Sequence, residues 1–143
     1  MTNKKPRSNI GKRNRNKGNN FERQLAKLLR EYGYKYCKTS RQASRLLDDC
    51  KIDISGINMI IQAKAGYKRA RPKYDVIFRE IKKCIKDNFP PNHTIHNLPI
   101  ILVHKMDGRK QENWTWTFNH EDVKELILPN LIKTLNEQNR GVL

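Results

Sequence analysis

Apolar residues recur along the chain in two rhythms, and each change of rhythm marks an element. Phe21, Leu25, Leu28, Leu29 and Tyr32 fall at helical spacing behind Asn19 and Asn20, which are good N-caps, and Gly33 stops the run; the spacing predicts a helix over about residues 19–32. Residues 34–39 are rich in β-formers and predict a short strand, followed by a polar loop or helical turn over 40–47. Residues 52–55 and 59–64 are strand-like runs joined by Ser55-Gly56-Ile57-Asn58, the pattern of an antiparallel hairpin. Ile77, Phe78, Ile81, Cys84 and Ile85 return to helical intervals over 74–87, and Pro90 with Pro91 ends that helix. Residues 98–104 form a nearly continuous apolar run, as expected of a strand covered on both faces. Asp107-Gly108 turns it toward a last strand at 114–118, where Trp114, Trp116 and Phe118 alternate and share one face. Asn119, followed three residues later by Asp122, opens a short helix, and Pro129 suits the first turn of another.

The order α-β-β-β-α-β-β requires a mixed sheet. The hairpin supplies antiparallel neighbours, and the helix between residues 64 and 98 is a crossover that permits a parallel one. The expected class is α/β, with a mixed central sheet flanked by helices. A chain of 143 residues can bury one core without disulfides or metal. It divides into an arm (1–17), a main domain (18–128) and a C-terminal helix and tail (129–143), with no internal repeat.

Charge narrows the partners. The chain has 30 Lys and Arg against 14 Asp and Glu, a net +16, and this excess concentrates polyanions, of which nucleic acid is the commonest inside cells. The basic residues up to Lys17, among them Arg7, Lys12, Arg13, Arg15 and Lys17, have no acid between them and almost no apolar company; this reads as a disordered arm that neutralises phosphates. A second cluster, Lys68, Arg69, Arg71 and Lys73, follows the hairpin and is expected to flank the same groove. No run approaches the roughly 20 apolar residues that span a bilayer, and the start lacks the apolar centre of a secretory signal, so a soluble cytoplasmic protein without membrane contact is expected. Cys37, Cys50 and Cys84 are odd in number and lack C-x-x-C spacing, which predicts reduced structural thiols. His93 and His96 form an H-x-x-H pair without cysteine or carboxylate partners nearby, so zinc is not expected.

The hairpin carries the candidate chemistry. Side chains alternate along a strand, so Met59, Ile61 and Ala63 point one way while Ile60, Gln62 and Lys64 point the other. If Ile52 and Ile54 share the core face, Asp53 lies on the side of Gln62 and Lys64. A hard cation such as Mg²⁺ takes oxygen ligands and can be held by one or two carboxylates plus substrate phosphate. Asp53 supplies charge and Gln62 a neutral carbonyl oxygen. Lys64 can orient or deprotonate an attacking water and offset the charge that builds up on the phosphoryl group, which suits phosphodiester hydrolysis. Glu22 stands in one helical row with Ala26 and Leu29 at the border of the buried face; the Asn19–Glu22 spacing also fits a capping box, in which the glutamate would only cover a backbone amide. Asp53, Gln62 and Lys64 equally fit the polar stripe of a half-exposed strand. Trp114 and Trp116 read as core or contact aromatics rather than base-stacking groups.

Helical Glu22, then Asp53, then Gln62-Ala63-Lys64 on the next strand resembles the PD-(D/E)xK nuclease superfamily, and within it the small Holliday-junction-resolvase-like endonucleases, including phage versions. The likeness extends from Gly18 to Val123 and includes Gly18-Asn19-Asn20-Phe21-Glu22-Arg23 and Ser40-Arg41-Gln42-Ala43-Ser44-Arg45. It implies a restriction-endonuclease-like core, Mg²⁺ (Mn²⁺ substituting), branched DNA as substrate and a homodimer, since resolving a four-way junction takes two symmetric cuts. It also implies Asp53 as central metal ligand, Gln62 as the second, the Ala63 carbonyl as another, Lys64 as catalytic lysine, and Glu22 as a group that binds or orients a second metal or its water. Gln62 replaces the usual acid, and Ile52 stands where many members have proline. Asp48 or Asp49 would restore the charge if the chain bends before Asp53, with Asp49 preferred, the alternative for both being a turn or helix-end role. Ser40, Arg41, Ser44 and Arg45 fall where resolvase-like members grip phosphate; Arg41 and Arg45, if helical, lie one turn apart. Two alternatives stay open: a same-fold nuclease acting on flaps, nicks or plain duplex, and a basic nucleic-acid-binding protein whose metal site has decayed.

Overall fold

The structure, a computed structural model, describes residues 7–66, 71–108 and 110–138. The first helix, α1, runs from Arg7 to Glu31. It begins well before Asn19 and Asn20, which lie inside it and cap nothing. Residues 7–17, expected as a disordered arm, are therefore helical; residues 1–6 lie outside the described segments. The physical reason is cooperativity. Phe21, Leu25, Ala26 and Leu29 anchor the later turns in the core, and each residue added to an existing helix costs little even where asparagine is a poor helix former. Residues 10–17 are exposed throughout. The helix stops as expected at Gly33, whose φ of +106° suits a residue without Cβ.

Five strands follow: β1 (Lys38–Thr39), β2 (Ile54–Ser55), β3 (Ile60–Ala65), β4 (Ile100–Lys105) and β5 (Thr115–Phe118). They form one open sheet in the order β1-β2-β3-β4-β5, antiparallel except for the β3–β4 pair, which is parallel from Ile60↔Ile100 to Ala65↔Lys105. The crossover between β3 and β4 carries helix α4 (Tyr74–Asn88). The expected α/β class, mixed sheet and five strands are all present. The first strand is shorter than the 34–39 run suggested, because Tyr34–Cys37 forms turns closed by the Tyr34 N–H to Leu29 and Cys37 N–H to Tyr34 bonds. Between β1 and β2 stand two short helices, α2 (Ser40–Ala43) and α3 (Arg45–Asp49).

The sheet separates two apolar layers. On one side α1 lays Phe21, Leu25, Ala26 and Leu29 over Ile54, Ile61, Ile101 and Val103; on the other, α4 lays Phe78, Ile81 and Ile85 over Ile52, Ile60, Ile100 and Leu102. The alternation along β3 is as the sequence predicts, but Ile52 and Ile54 do not share a face. Lys51 takes φ +60°, the chain bends there, and Ile52 turns into the α4 layer before the two-residue strand β2 begins. The hairpin turn depends on Gly56 (φ +79°), where a Cβ would strike the Tyr36 carbonyl.

Cys50 and Cys84 form a disulfide across 34 residues of sequence, and Cys37 is a buried thiol. The expectation of three reduced thiols fails for the first two because the bend at Lys51 sets Cys50 against α4. After β5, Asn119 caps α5 (His120–Asp122) by accepting from Glu121 N–H, and Asp122 ties this helix to the sheet by accepting from Ile100 N–H at 2.9 Å. A π-helical stretch (Val123–Ile127) leads into α6 (Leu128–Gln138). It sits just ahead of Pro129, which lacks the N–H a regular helix would use and so favours the wider turn. Among the described residues no helix is long and apolar enough to cross a membrane.

Candidate active site

The site grows from a short ladder. The backbone N–H of Asp53 donates to the Ile61 carbonyl at 2.8 Å, and Ile54 pairs with Ile61, but the β2–β3 pairing goes no further toward the end of β3. The next N–H on β3, that of Ala63, is taken by a side chain: it donates to Asp53 Oδ2 at 2.7 Å. The Asp53 carboxylate thus occupies the place of a missing strand neighbour, only 7% exposed. On the other flank, Ser40 N–H donates to the Asp53 carbonyl at 2.8 Å and holds the residue from the α2 side.

Gln62 is buried beside it, and its Oε1 is a buried acceptor with no hydrogen-bond partner among the described residues. An orphaned buried acceptor costs free energy unless something positive or hydrogen-bearing arrives. Lys64, two residues on, is half-buried on the same face of β3 and makes no ion pair among the described residues. The parallel register sets His104 directly beside it on β4, with His104 Nε2 at 3.1 Å from the Gly66 carbonyl.

Glu22 reaches the site from α1. It is buried, and with Asn19 inside the helix the capping-box reading no longer applies to it. Arg41 approaches Glu22 Oε1 at 3.6 Å. Burial pushes the Glu22 carboxyl up, the Arg41 guanidinium pulls it back, and the Asp48 carboxylate adds to the upward push. Asp53 is pushed up to about 7: burial dominates, the Ala63 N–H opposes it, Glu22 raises it, Lys64 lowers it and Asp48 raises it again. Glu22, Asp48, Asp53, Lys64 and Arg41 therefore share one electrostatic neighbourhood. A buried carboxyl raised in this way by burial and by neighbouring acids favours a bound cation.

Other sequence expectations land elsewhere. The chain does bend before Asp53, but the carboxylate it brings into range is Asp48. Asp49 points outward and pairs with Arg45 at 3.9 Å, with both side chains largely exposed. Arg41 and Arg45 do not share a helical face, because Ser44 between them is extended (φ −156°, ψ 111°) and splits α2 from α3. Ser40 is fully buried, so its hydroxyl does not face outward to a phosphate; Ser44 is half-buried and its Oγ caps α3 by accepting from Leu47 N–H. Lys12, Arg13, Arg15, Lys17, Arg71 and Lys73 are exposed, and Lys17 pairs with Asp107. Arg7 opens α1; Lys68 and Arg69 lie outside the described residues. His93 and His96 stabilise their own turn, through Ile95 N–H and the Pro90 carbonyl. Of the two acids weighed, the less favoured Asp48 is the one in range; His104 was missed, although a parallel pairing of 60–65 with 100–105 would have pointed to it.

No group of three or more His, Cys, Asp or Glu among the described residues is arranged to hold a metal by itself. Asp53 with the unpartnered Gln62 oxygen nevertheless fits a Mg²⁺-type ion, which takes few protein ligands and completes its shell with water and phosphate. No protein-family model, curated protein or solved structure matches the chain.

Proposed function

We propose that the chain is a Mg²⁺-dependent DNA endonuclease of the PD-(D/E)xK type, with a restriction-endonuclease-like core and a preference for branched DNA. One observation carries this reading: where β2 parts from β3, a buried Asp53 carboxylate accepts from Ala63 N–H, the neighbouring Gln62 carries a buried, unpartnered oxygen, and Lys64 and Glu22 lie within electrostatic range of Asp53. Asp53 and Gln62, with the Ala63 carbonyl, would hold the cation. When bound, that cation would polarise the phosphoryl group and acidify water. Lys64 orients the attacking water and offsets charge on the phosphoryl oxygens, and Glu22, restrained by Arg41, holds a water or a second ion on the α1 side. The exposed cations of α1 with Arg71 and Lys73 contact flanking phosphates.

A homodimer fits through α6. Leu128, Leu131, Ile132 and Leu135 form a stripe at helical spacing and are each more than 40% exposed. Residues 119–138 carry four acids against two bases, so two copies meeting here bring together weakly charged surfaces and keep the strongly cationic α1 regions apart from the contact.

The absence of an acid at position 62 favours one rival, a DNA-binding protein without catalysis. Incubating the protein with four-way, flap and linear duplex DNA, in Mg²⁺ and in chelator, decides between them. Mg²⁺-dependent cuts that vanish in Asp53→Asn and Lys64→Ala, while both variants still bind the junction in Ca²⁺, support the nuclease. Binding without any cut in Mg²⁺ or Mn²⁺ supports the rival.

A further inference from the structure

The α1 side of the sheet carries a cleft that the proposed catalytic centre does not use. Lys27 and Leu28 of α1, Lys105 at the end of β4, and Lys110, Gln111 and Trp114 ahead of β5 enclose about 400 Å³. A second hollow of about 530 Å³ shares Leu28, Lys110, Gln111 and Trp114 with it and continues past Tyr32 and Trp116. Trp114 is the common wall. Its ring is fixed edge-to-face on Phe21 (centroids 4.9 Å apart, planes at 90°), and Lys105 Nζ stands 6.0 Å from its centroid. Its indole Nε1 is buried and has no hydrogen-bond partner among the described residues. Buried indole N–H groups normally find an acceptor, so this one is a donor without its mate. The charged groups lining the two hollows are Lys27, Lys105 and Lys110 against Glu31 and Glu112, a net positive lining around an aromatic wall.

We propose that this cleft binds an unpaired nucleotide of a DNA strand, its base against Trp114 and Trp116 and its phosphate among Lys27, Lys105 and Lys110. Aromatic walls accept any base through its π face, and the lysines supply the sequence-independent attraction to the backbone. The inference rests on the reading of DNA as substrate and deepens it. Lys105 pairs with Ala65, the residue after Lys64, so the cleft lies at the Lys64 end of the β3–β4 pair, on the opposite face of the sheet from the Lys64 side chain, and a strand that turns round this end reaches both. A flap or junction offers an unpaired nucleotide close to a scissile phosphate; a continuous duplex does not. The cleft thus gives the preference for branched DNA a structural cause.

Both tryptophans of the chain line the cleft, so intrinsic fluorescence reports on it without a label. The full chain is titrated in EDTA with an oligothymidylate of about 10 nucleotides and with an abasic strand of equal length. The expected result is quenching by the base-bearing strand, little quenching by the abasic one although it binds by anisotropy, and a roughly tenfold loss of oligothymidylate affinity in Lys27→Glu/Lys110→Glu, whose sites are exposed and whose fold is checked by circular dichroism. Equal quenching by both strands, or undiminished affinity in the folded double variant, overturns the proposal. No cleavage is measured, so the outcomes separate: quenching in a protein that never cuts DNA sinks the nuclease reading alone, and cutting without base-dependent quenching sinks the cleft alone.

Discussion

Replacing Asp53 with asparagine should stabilise the metal-free protein at alkaline pH. The Asp53 carboxyl is pushed from 3.8 to about 7 in the fold, chiefly by burial. Between those values the folded chain holds a proton that the unfolded chain has lost, so this group's contribution to stability falls as pH rises from about 4 to 7 and stays at its low value above. Taken at face value, three pKa units amount to about 4 kcal/mol; water penetration and local relaxation reduce that to on the order of 2 kcal/mol. Asp53→Asn removes the titration and keeps an oxygen for the Ala63 N–H that now donates at 2.7 Å. Urea denaturation in EDTA, run on both proteins at pH 4 and pH 8, reads the effect, because titrating groups far from Asp53 cancel in the difference and only its neighbours Glu22, Asp48 and Lys64 respond to the loss of its charge. The variant should be more stable than the parent by about 2 kcal/mol at pH 8 and close to it at pH 4. Adding Mn²⁺ should raise the melting temperature of the parent and leave the variant unmoved. A variant that is no more stable than the parent at pH 8 would refute the claim that Asp53 is a buried charge awaiting a cation.

Three further outcomes follow from other parts of the molecule. Gly56→Ala places a methyl group against the Tyr36 carbonyl at φ +79° and should cost about 2–4 kcal/mol, read as a drop in urea midpoint with unchanged slope. Removing residues 1–17 should weaken junction binding and flatten its dependence on salt by several units of slope, since each lost phosphate contact releases one counterion fewer; a slope equal to that of the full chain would take these residues out of the DNA interface. Leu131→Asp with Ile132→Asp, on the exposed stripe of α6, should convert a dimer to a monomer in sedimentation without lowering the melting transition of the sheet domain, and unaltered sedimentation would remove α6 from the dimer contact.

The parts of this fold that were legible in the sequence are those whose information is local. Alternation along 59–64 correctly divided Ile61 and Ala63 from Ile60, and helical spacing located α4 almost to the residue, because each pattern is set by an element that packs on one partner. Asp53 was singled out for a reason that fails. Its face was inferred from Ile52 and Ile54 as a pair, yet the positive φ of Lys51 sends Ile52 into the opposite layer, and Asp53 reaches Ala63 from the end of a strand rather than from its face. The same bend decides between Asp48 and Asp49, a choice no spacing rule contains. The start of α1 was hidden because Asn19 and Asn20 carry a cap signal that helix propagation overrides. Trp114 was read as an ordinary core aromatic, and it does pack on Phe21; that its N–H is left unsatisfied depends on what α1 and the segment before β5 fail to offer it.

The arrangement around Asp53 explains why so short a strand as β2 suffices. Pairing beyond Ile54↔Ile61 would have filled the Ala63 N–H with a backbone carbonyl and left no room for a carboxylate; because β2 stops, the side chain completes the ladder and is fixed by the same bond that neighbouring strands use. Rigidity comes from the other edge of β3, where six consecutive residues pair with β4 and hold Gln62 and Lys64 in phase. A slip of β3 by one residue would turn Ile61 and Ala63 toward α4 and bury Gln62 and Lys64 under α1, which the apolar contacts of both layers oppose. The buried, unpartnered Gln62 oxygen is therefore carried by a strand that pairs with β4 along its whole length. Its backbone cannot shift without breaking those pairs, and a ligand that supplies the missing donor or charge would recover free energy that its burial costs.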